Sequence, residues 1–312
     1  MTLPTHAVAL VVVIPIGPSA TTEHVLDTVD SVLTYTAPDR KIVLADDSGK
    51  GTARAVAGRV SGMDVVPMPR RHGMGGGLYL TLCRAYAHAL RCWRFDALLR
   101  LDTDALVIGP FPERLPIEMF RSNPRLAMGG EIYVDNCSVR ARLEEAAGSA
   151  PARARLKGLL QRPYSLYRWR HFFVERTLGR LYKRAQANNY SSIDYIFGGC
   201  NVLSERYLRA LQAQGLLPQP RLGRLDMEED HLFGLLAAVV GMEIADMHTG
   251  SLPFGTAWKA LPASPPDLLA QGKKVVHSTR RWQDMDEDAV RAFFQARRRE
   301  YAPADAVPQL GR

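Results

Sequence analysis

Residues 98–110 read LLRLDTDALVIGP, an apolar run broken by two carboxylates one residue apart. Side chains at i and i+2 of a strand share a face, so the spacing predicts that Asp102 and Asp104 point the same way at a strand end. Two oxygen donors so placed suit Mg²⁺ or Mn²⁺, ions that keep positions open for water and substrate phosphates. An isolated Asp-x-Asp is more often a solvated strand-to-loop turn, so the pair needs companions. Four other groups have the right chemistry. Asp46-Asp47-Ser48-Gly49 is a turn-forming cluster after an apolar run. Arg70-Arg71-His72-Gly73 leads into the glycine-rich 73–77, where guanidinium groups and a closely approaching backbone would suit a diphosphate; a turn before a helix is the alternative. Phe197-Gly198-Gly199 reads as a tight turn. Glu228-Glu229-Asp230 opens a helical pattern, where acidic residues stabilise the helix N-terminus through its dipole.

The elements that must position these groups alternate in type. Ala7–Ile16 is a continuous β-branched run, as in a strand buried on both faces. Thr21–Tyr35 has helical spacing, with Val25, Val29, Val32 and Leu33 apolar. Further strands are predicted at Lys41–Ala45, Met63–Met68 and Ala97–Leu101, and a helix from about Leu78 to Trp93. Such alternation implies a mostly parallel sheet, and ligands on these sheets sit at the carboxyl ends of the strands. Asp46, Asp47, Asp102 and Asp104 all fall there. The second half is less regular: a basic helical stretch over 140–184 with Leu166, Trp169, Phe173 and Leu181 on a rough stripe, a helix over Met227–Val240, and a short strand at Lys273–His277. The Pro/Ala-rich tail 302–312 is expected to be loose.

Composition narrows the function classes. Of 312 residues 46% are apolar, enough for a substantial core. The net charge of +8 is concentrated: residues 140–184 carry twelve Lys/Arg against three Glu, a net +9, leaving −1 for the rest. Basicity confined to one segment argues against nucleic-acid binding by the whole chain. Four scattered cysteines without a CxxC pair argue against a zinc knuckle or a disulfide framework and suit a reducing compartment. The start of the chain lacks a basic n-region, and Ala7–Ile16 is too short to span a bilayer. The expectation is a cytoplasmic protein, at most peripheral at the inner membrane surface. GMGGGL does not satisfy G-x-G-x-x-G, since residue 78 is Leu and the run follows the third strand, which argues against a nicotinamide-dinucleotide site.

LLRLDTDALVIGP resembles the Asp-x-Asp segment of GT-A-type glycosyltransferases. VVVIPIG followed by a helix and IVLADDSG is similar to the opening half of the family-2-like members of that fold. GGCNVLSERYLRAL followed by MEEDHLFGLL resembles their acceptor-side half, and KVVHST matches the position of a C-terminal histidine. The ordered segments span about residues 8 to 280. The resemblance implies an α/β, GT-A-type fold: a mostly parallel Rossmann-like sheet flanked by helices, with a basic helical insertion. It implies one catalytic domain over 1–312, with a nucleotide-sugar-binding half in 1–110 and an acceptor-side half in 111–290 that includes the insertion at about 140–184. The implied cofactors are Mn²⁺ or Mg²⁺ and a nucleotide-sugar donor, a UDP-sugar by family-level expectation. The implied acceptor is a hydroxyl on a sugar, a lipid-linked sugar or another molecule.

Residue by residue, the resemblance puts Asp46 on the nucleoside, with capping of its own turn as the alternative, and leaves Asp47 as a turn residue. Asp102 would face the donor's ribose or sugar, Asp104 would ligate the metal, and His277 would be an additional ligand. Arg70 and Gly73 would lie near the donor, and Gly198 and Gly199 would line the acceptor side of the sugar. Asp230 fits the general base of inverting members, with Glu229 the second choice. The basic segment 140–184 has no counterpart; contact with anionic lipid, a homo-oligomer contact and a solvated face are all open. Two other functions compete. A sugar nucleotidyltransferase would carry a basic glycine-rich loop after the first strand, but PIGPSA is followed by no Lys or Arg before Arg40. An inactive nucleotide-sugar-binding protein would be expected to have lost the metal pair or the acid after GGCN, and both are intact.

Overall fold

Alternation along the first strand, β1 (Ala7–Ile16), feeds two cores at once: Val11 and Val13 enter one, and Leu10, Val12, Ile14 and Ile16 the other. In the computed structural model, which describes residues 6–134, 138–148, 166–190 and 194–301, helices cover both faces. The helix Thr22–Tyr35 is capped by Thr21, whose Oγ1 accepts the His24 N–H at 3.1 Å, and it buries Val25, Val29 and Val32 in the second core. The helix Gly76–Cys92 buries Tyr79, Leu82, Tyr86 and Ala89 in the first. Each such aliphatic or aromatic side chain stabilises the fold by about 1.5–3 kcal/mol relative to exposure.

The other strands of the first half are β2 (Arg40–Asp46), β3 (Met63–Pro67) and β4 (Arg94–Leu101). Beyond them come β5 (Ala105–Val107), β6 (Leu126–Gly130), β7 (Ile132–Val134), β8 (Asp194–Ile196), β9 (Cys200–Ser204), β10 (Glu243–Asp246), β11 (Phe254–Thr256) and β12 (Val275–His277). Seven strands form the central sheet in the order β10-β6-β9-β4-β1-β2-β3. Pairings are parallel except those of β9, which runs against both β4 and β6. The fold is therefore the mostly parallel, helix-flanked α/β architecture implied by the alternation of elements, with one reversed strand.

Two antiparallel pairings decide what meets the end of β4. Leu101 pairs with Cys200, the first residue of β9, so the Gly198-Gly199 turn abuts Asp102. In a separate three-stranded sheet, β12 pairs antiparallel with β5 and sets His277 opposite Ala105, the residue after Asp104. A third ribbon pairs β7 with β8, Tyr133 opposite Tyr195, and the basic segment lies between these two strands in the chain. Its helices Ser138–Ala147 and Leu166–Ala187 bury Leu143, Ala147, Val174, Leu178, Leu181 and Tyr182 in the first core. That segment is thus part of the packed body on this side. The side chains of Leu166, Trp169 and Phe173, residues 149–165 and the tail 302–312 lie outside the described residues. No helix among the described residues is long and apolar enough to cross a membrane.

Candidate active site

β4 ends at Leu101, and Asp102 to Asp104 form a turn closed by the Ala105 N–H on the Asp102 carbonyl at 3.0 Å. The two carboxylates therefore converge through a turn and not through the strand alternation expected of them. With His277 they form a cluster: one ligand-capable atom from each of Asp102, Asp104 and His277 lies within 4.8 Å of the others. Asp104 Oδ2 accepts from Ser278 Oγ at 2.8 Å and pairs with Arg280 Nε at 2.8 Å, which leaves Oδ1 facing His277 Nε2 at 3.4 Å. His277 Nδ1 stands 3.0 Å from the Ala257 carbonyl oxygen. A carbonyl can only accept, so Nδ1 donates to it, and Nε2 is the ring nitrogen turned toward the carboxylate, where it can give up a proton to serve as a ligand.

His277 Nε2 and Asp104 Oδ1, with Asp102 alongside, form a set of ligand-capable atoms that a divalent cation could bridge in place of the Nε2 proton. Carboxylate oxygens with one imidazole suit Mn²⁺ or Mg²⁺, so the residues fit the ion implied by the sequence. Gly199 completes the cradle. Its φ of +86° is a left-handed conformation, and a Cβ there would stand 2.4 Å from His277 Nε2. Its carbonyl also accepts the Asp102 N–H at 2.7 Å. Although burial alone would raise the Asp104 pKa, His277, Arg280 and Ser278 outweigh it and hold the carboxyl well below the usual range.

The neighbouring corner is built on Arg100, 1% exposed. Its Nε and Nη2 donate to the two oxygens of Asp102 at 3.1 and 3.2 Å, and Nη2 also pairs with Glu229 Oε1 at 2.8 Å. Burial disfavours the Arg100 charge, but Asp102 and Glu229 raise its pKa above the ordinary value. One guanidinium does not fully compensate a buried Glu229 and a partly buried Asp102. Burial, opposed by Arg100 and reinforced by Asp230, pushes Glu229 up to about 7; burial likewise raises Asp102 despite Arg100.

Asp230, in the first turn of the helix Glu229–Val239, completes the cluster across the glycine turn. Its Oδ2 accepts the Gly198 N–H at 3.3 Å, and its Oδ1 accepts the His231 N–H at 2.7 Å and lies 2.9 Å from His231 Nδ1. A Cβ on Gly198 would stand 3.3 Å from Glu229 Oε1, so the turn lies directly over both acids. An aromatic wall flanks them. Tyr195 stacks on His231 with ring centroids 3.9 Å apart, Phe197 lies 5.0 Å from Tyr133 and 5.9 Å from His277, and Tyr133 is 37% exposed.

Asp46, Arg70 and Gly73 sit apart, at the carboxyl ends of β2 and β3. Those are two and three strands from β4, about 10 and 14 Å by strand spacing. Asp46 is engaged with its own turn: Oδ1 accepts from Ser48 N and Oγ at 3.0 and 2.6 Å, and Oδ2 from Ala53 N at 3.3 Å. This is the capping arrangement that stood as the alternative to nucleoside contact. Asp47, read as a turn residue, instead reaches across to accept the His72 and Gly73 N–H groups at 2.8 and 3.0 Å, fixing the loop after β3. Arg70 and Gly73 on that loop are exposed. Gly76 and Gly77 have a packing role: a Cβ would stand 2.5 Å from the Leu222 carbonyl and 2.0 Å from that of His72.

No family model matches the chain, and no curated protein does. Solved structures to which it is similar include glycosyltransferases. The galactosyltransferase LgtC, in complex with donor and acceptor sugar analogues, shares 11% identity at a TM-score of 0.46, over 94% of this chain and 98% of that one. The bifunctional WbbM shares 10% at 0.46, over 95% and 50%. The mannosyltransferase PcManGT from Pyrobaculum calidifontis, in complex with GDP-Man and Mn²⁺, shares 11% at 0.41, over 78% and 56%. The chain thus spans about half the length of the last two. Identities this low and TM-scores below 0.5 leave the chemistry to be argued from the residues themselves.

Several site residues went unread in the sequence. Arg100 carried a signal, a guanidinium within the apolar run 97–101 two residues before Asp102, since a buried charge requires partners. Ser278 and Arg280 follow His277 in HSTR. The contacts of Tyr133, Tyr195 and His231 carried none, because they depend on the β7–β8 pairing.

Proposed function

We propose that the chain is a metal-dependent glycosyltransferase that moves a sugar from a nucleoside-diphosphate sugar to an acceptor hydroxyl. The observation that carries this reading is the facing of Asp104 Oδ1 and His277 Nε2 beside Asp102, with Asp230 across the Gly198-Gly199 turn. Asp104 and His277 would hold Mn²⁺ or Mg²⁺, with Asp102 beside them. When bound, that ion would neutralise charge on the departing diphosphate. Arg100 orients Asp102 through both carboxylate oxygens, which suits a role toward the donor ribose or sugar.

Asp230 is the proposed general base, taking the proton of the acceptor hydroxyl as its oxygen attacks the anomeric carbon with inversion. Glu229 is the weaker choice because its carboxylate is committed to Arg100. The exposed ring of Tyr133 and the exposed Trp258, next to the Ala257 that orients His277, offer apolar faces to an acceptor sugar. The donor-side loop with Arg70 and Gly73 is the proposed neighbour of the nucleotide, with UDP the expected base and Asp46 acting through its turn.

A thermal-shift panel of UDP, GDP, CDP and TDP with and without Mn²⁺ tests the reading. A nucleotide at about a hundred times its Kd adds ~2.7 kcal/mol of stability, and the expected result is a shift for one nucleotide that requires the metal. Absence of stabilisation by every nucleotide under both conditions would overturn the proposal. Net retention of anomeric configuration in the product would remove Asp230 from the role of base.

A further inference from the structure

A second cluster of ligating side chains lies on the far side of the donor half. Asp64 stands near the start of β3, and His88 and Cys92 lie in the last turns of the helix Gly76–Cys92. Four residues apart on a helix, the latter two share a face. One ligand-capable atom from each of Asp64, His88 and Cys92 lies within 4.8 Å of the others. Asp64 Oδ2 is 2.6 Å from His88 Nε2, and Cys92 Sγ is 3.6 Å from the same nitrogen and 4.0 Å from Nδ1.

That arrangement does not suit an acid–imidazole–thiol relay, which needs the acid and the nucleophile on opposite ring nitrogens. Here the acid takes Nε2, and the sulfur lies beside the ring on neither lone-pair axis. Sulfur, nitrogen and oxygen do lie within 4.8 Å of one another, a set that one ion could join once the imidazole turns Nε2 toward the sulfur. We propose that Asp64, His88 and Cys92 form a metal site for a borderline-soft divalent cation, Zn²⁺ in chemical class, with a fourth position open to water. For a tetrahedral ion with Zn–S about 2.3 Å and Zn–N about 2.0 Å, the sulfur–nitrogen separation is about 3.5 Å, close to the 3.6 Å observed. The nitrogen–oxygen pair must open from 2.6 Å to about 3.3 Å as its shared proton leaves. Asp64 is free to make that move, with its side chain 43% exposed.

The protons balance simply. Nε2 gives up its proton, to Nδ1 or to solvent, and the thiol releases one proton to solvent. Burial and the Asp64 carboxylate raise the Cys92 pKa, so the metal-free thiol is protonated; a cation reverses that by supplying the opposite charge. Arg91, whose Nη2 lies 3.5 Å from His88 Nδ1, is on the exposed side of the helix and can turn into solvent. The bound ion would clamp the helix end to the start of β3, bracing the two elements joined by the loop that bears Arg70 and Gly73. This site is independent of the proposed transfer reaction.

Cobalt substitution tests it on the whole chain under reducing conditions. Co²⁺ titration of the wild type should produce a thiolate-to-cobalt charge-transfer band in the near ultraviolet, saturating at one equivalent and abolished by added Zn²⁺. Co²⁺ held by Asp102, Asp104 and His277 contributes no such band, because that set has no sulfur. Cys92→Ser, nearly isosteric, should lose the band with its metal-free melting temperature unchanged. Asp64→Asn should keep the band and weaken affinity by at least the ~10-fold typical of losing an outer-shell partner. Zn²⁺ should raise the melting temperature of the wild type and not of His88→Ala, a difference that stands even if the variant is less stable without metal. A wild type without the band, or a band that survives in Cys92→Ser, overturns the site.

Discussion

The two corners at the end of β4 solve opposite electrostatic problems. At Asp104 one carboxylate faces His277, Arg280 and Ser278, and these hold it ionised despite burial. At Arg100 one guanidinium serves two carboxylates, Asp102 and Glu229, and burial pushes Glu229 up to about 7. The first corner is a carboxylate kept charged with one oxygen turned toward Nε2 of an imidazole. The second is an over-acidic cluster that a single buried cation keeps from flying apart. Two aspartates one residue apart therefore have different work: Asp104 is poised to hold a cation, and Asp102 is fixed in orientation by Arg100.

The largest expected effect comes from dividing ligand from base. Asp104→Ala should reduce the nucleotide-induced, Mn²⁺-dependent thermal shift to the metal-free level. Asp230→Asn should keep that shift and lower the transfer rate by about 10²- to 10⁴-fold. Equal loss of donor binding in both variants would break the division. Next in size, Arg100→Met should destabilise the fold by about 3–5 kcal/mol in urea denaturation, because the buried Glu229 and the partly buried Asp102 lose their cation. A loss under about 1 kcal/mol, the size of one ordinary hydrogen bond, would show that Asp102 and Glu229 do not depend on Arg100.

Glu229 supplies a pH test. Its folded pKa of about 7 lies above the ordinary 4.5, so the folded state holds a proton that the unfolded state has released, and stability falls as pH rises from about 4.5 to about 7. The full contribution is about 3 kcal/mol. Glu229→Gln should flatten that part of the stability–pH curve, whatever it does to stability at one pH; an unchanged slope would place the titration elsewhere. The smallest effect is expected at Ser278→Ala, which removes one hydrogen bond from Asp104 at a cost of about 1 kcal/mol. A measurable drop in Mn²⁺ affinity there would sharpen the comparison, because Arg280 alone would then not suffice to orient the carboxylate.

Much of the first half was legible because its signals are local. β-branched runs make β1 and β2, helical spacing makes the helices Thr22–Tyr35 and Gly76–Cys92, and parallel strands bring Asp46 and the Asp102–Asp104 turn to one edge of the sheet. The second half was harder, since its short strands pair with partners far along the chain: β9 with β4, β12 with β5, β7 with β8. The glycine-rich 73–77 was ambiguous for a different reason. Its glycines look alike in sequence, yet Gly76 and Gly77 answer to close backbone packing and Gly73 to a left-handed turn.

The amino-acid sequence by itself determined that carboxylates stand at the ends of buried strands, because apolar periodicity and turn residues act over a few positions. Only the tertiary structure decided which of those carboxylates meet an imidazole, a guanidinium or a backbone N–H. His277 lies 173 residues beyond Asp104, and it arrives there through the register of two short antiparallel strands that no local preference specifies. Arg100 and Asp102 are neighbours in both descriptions. Their pairing with Glu229 required the fold, because a buried charge takes whichever partner the packing brings within reach.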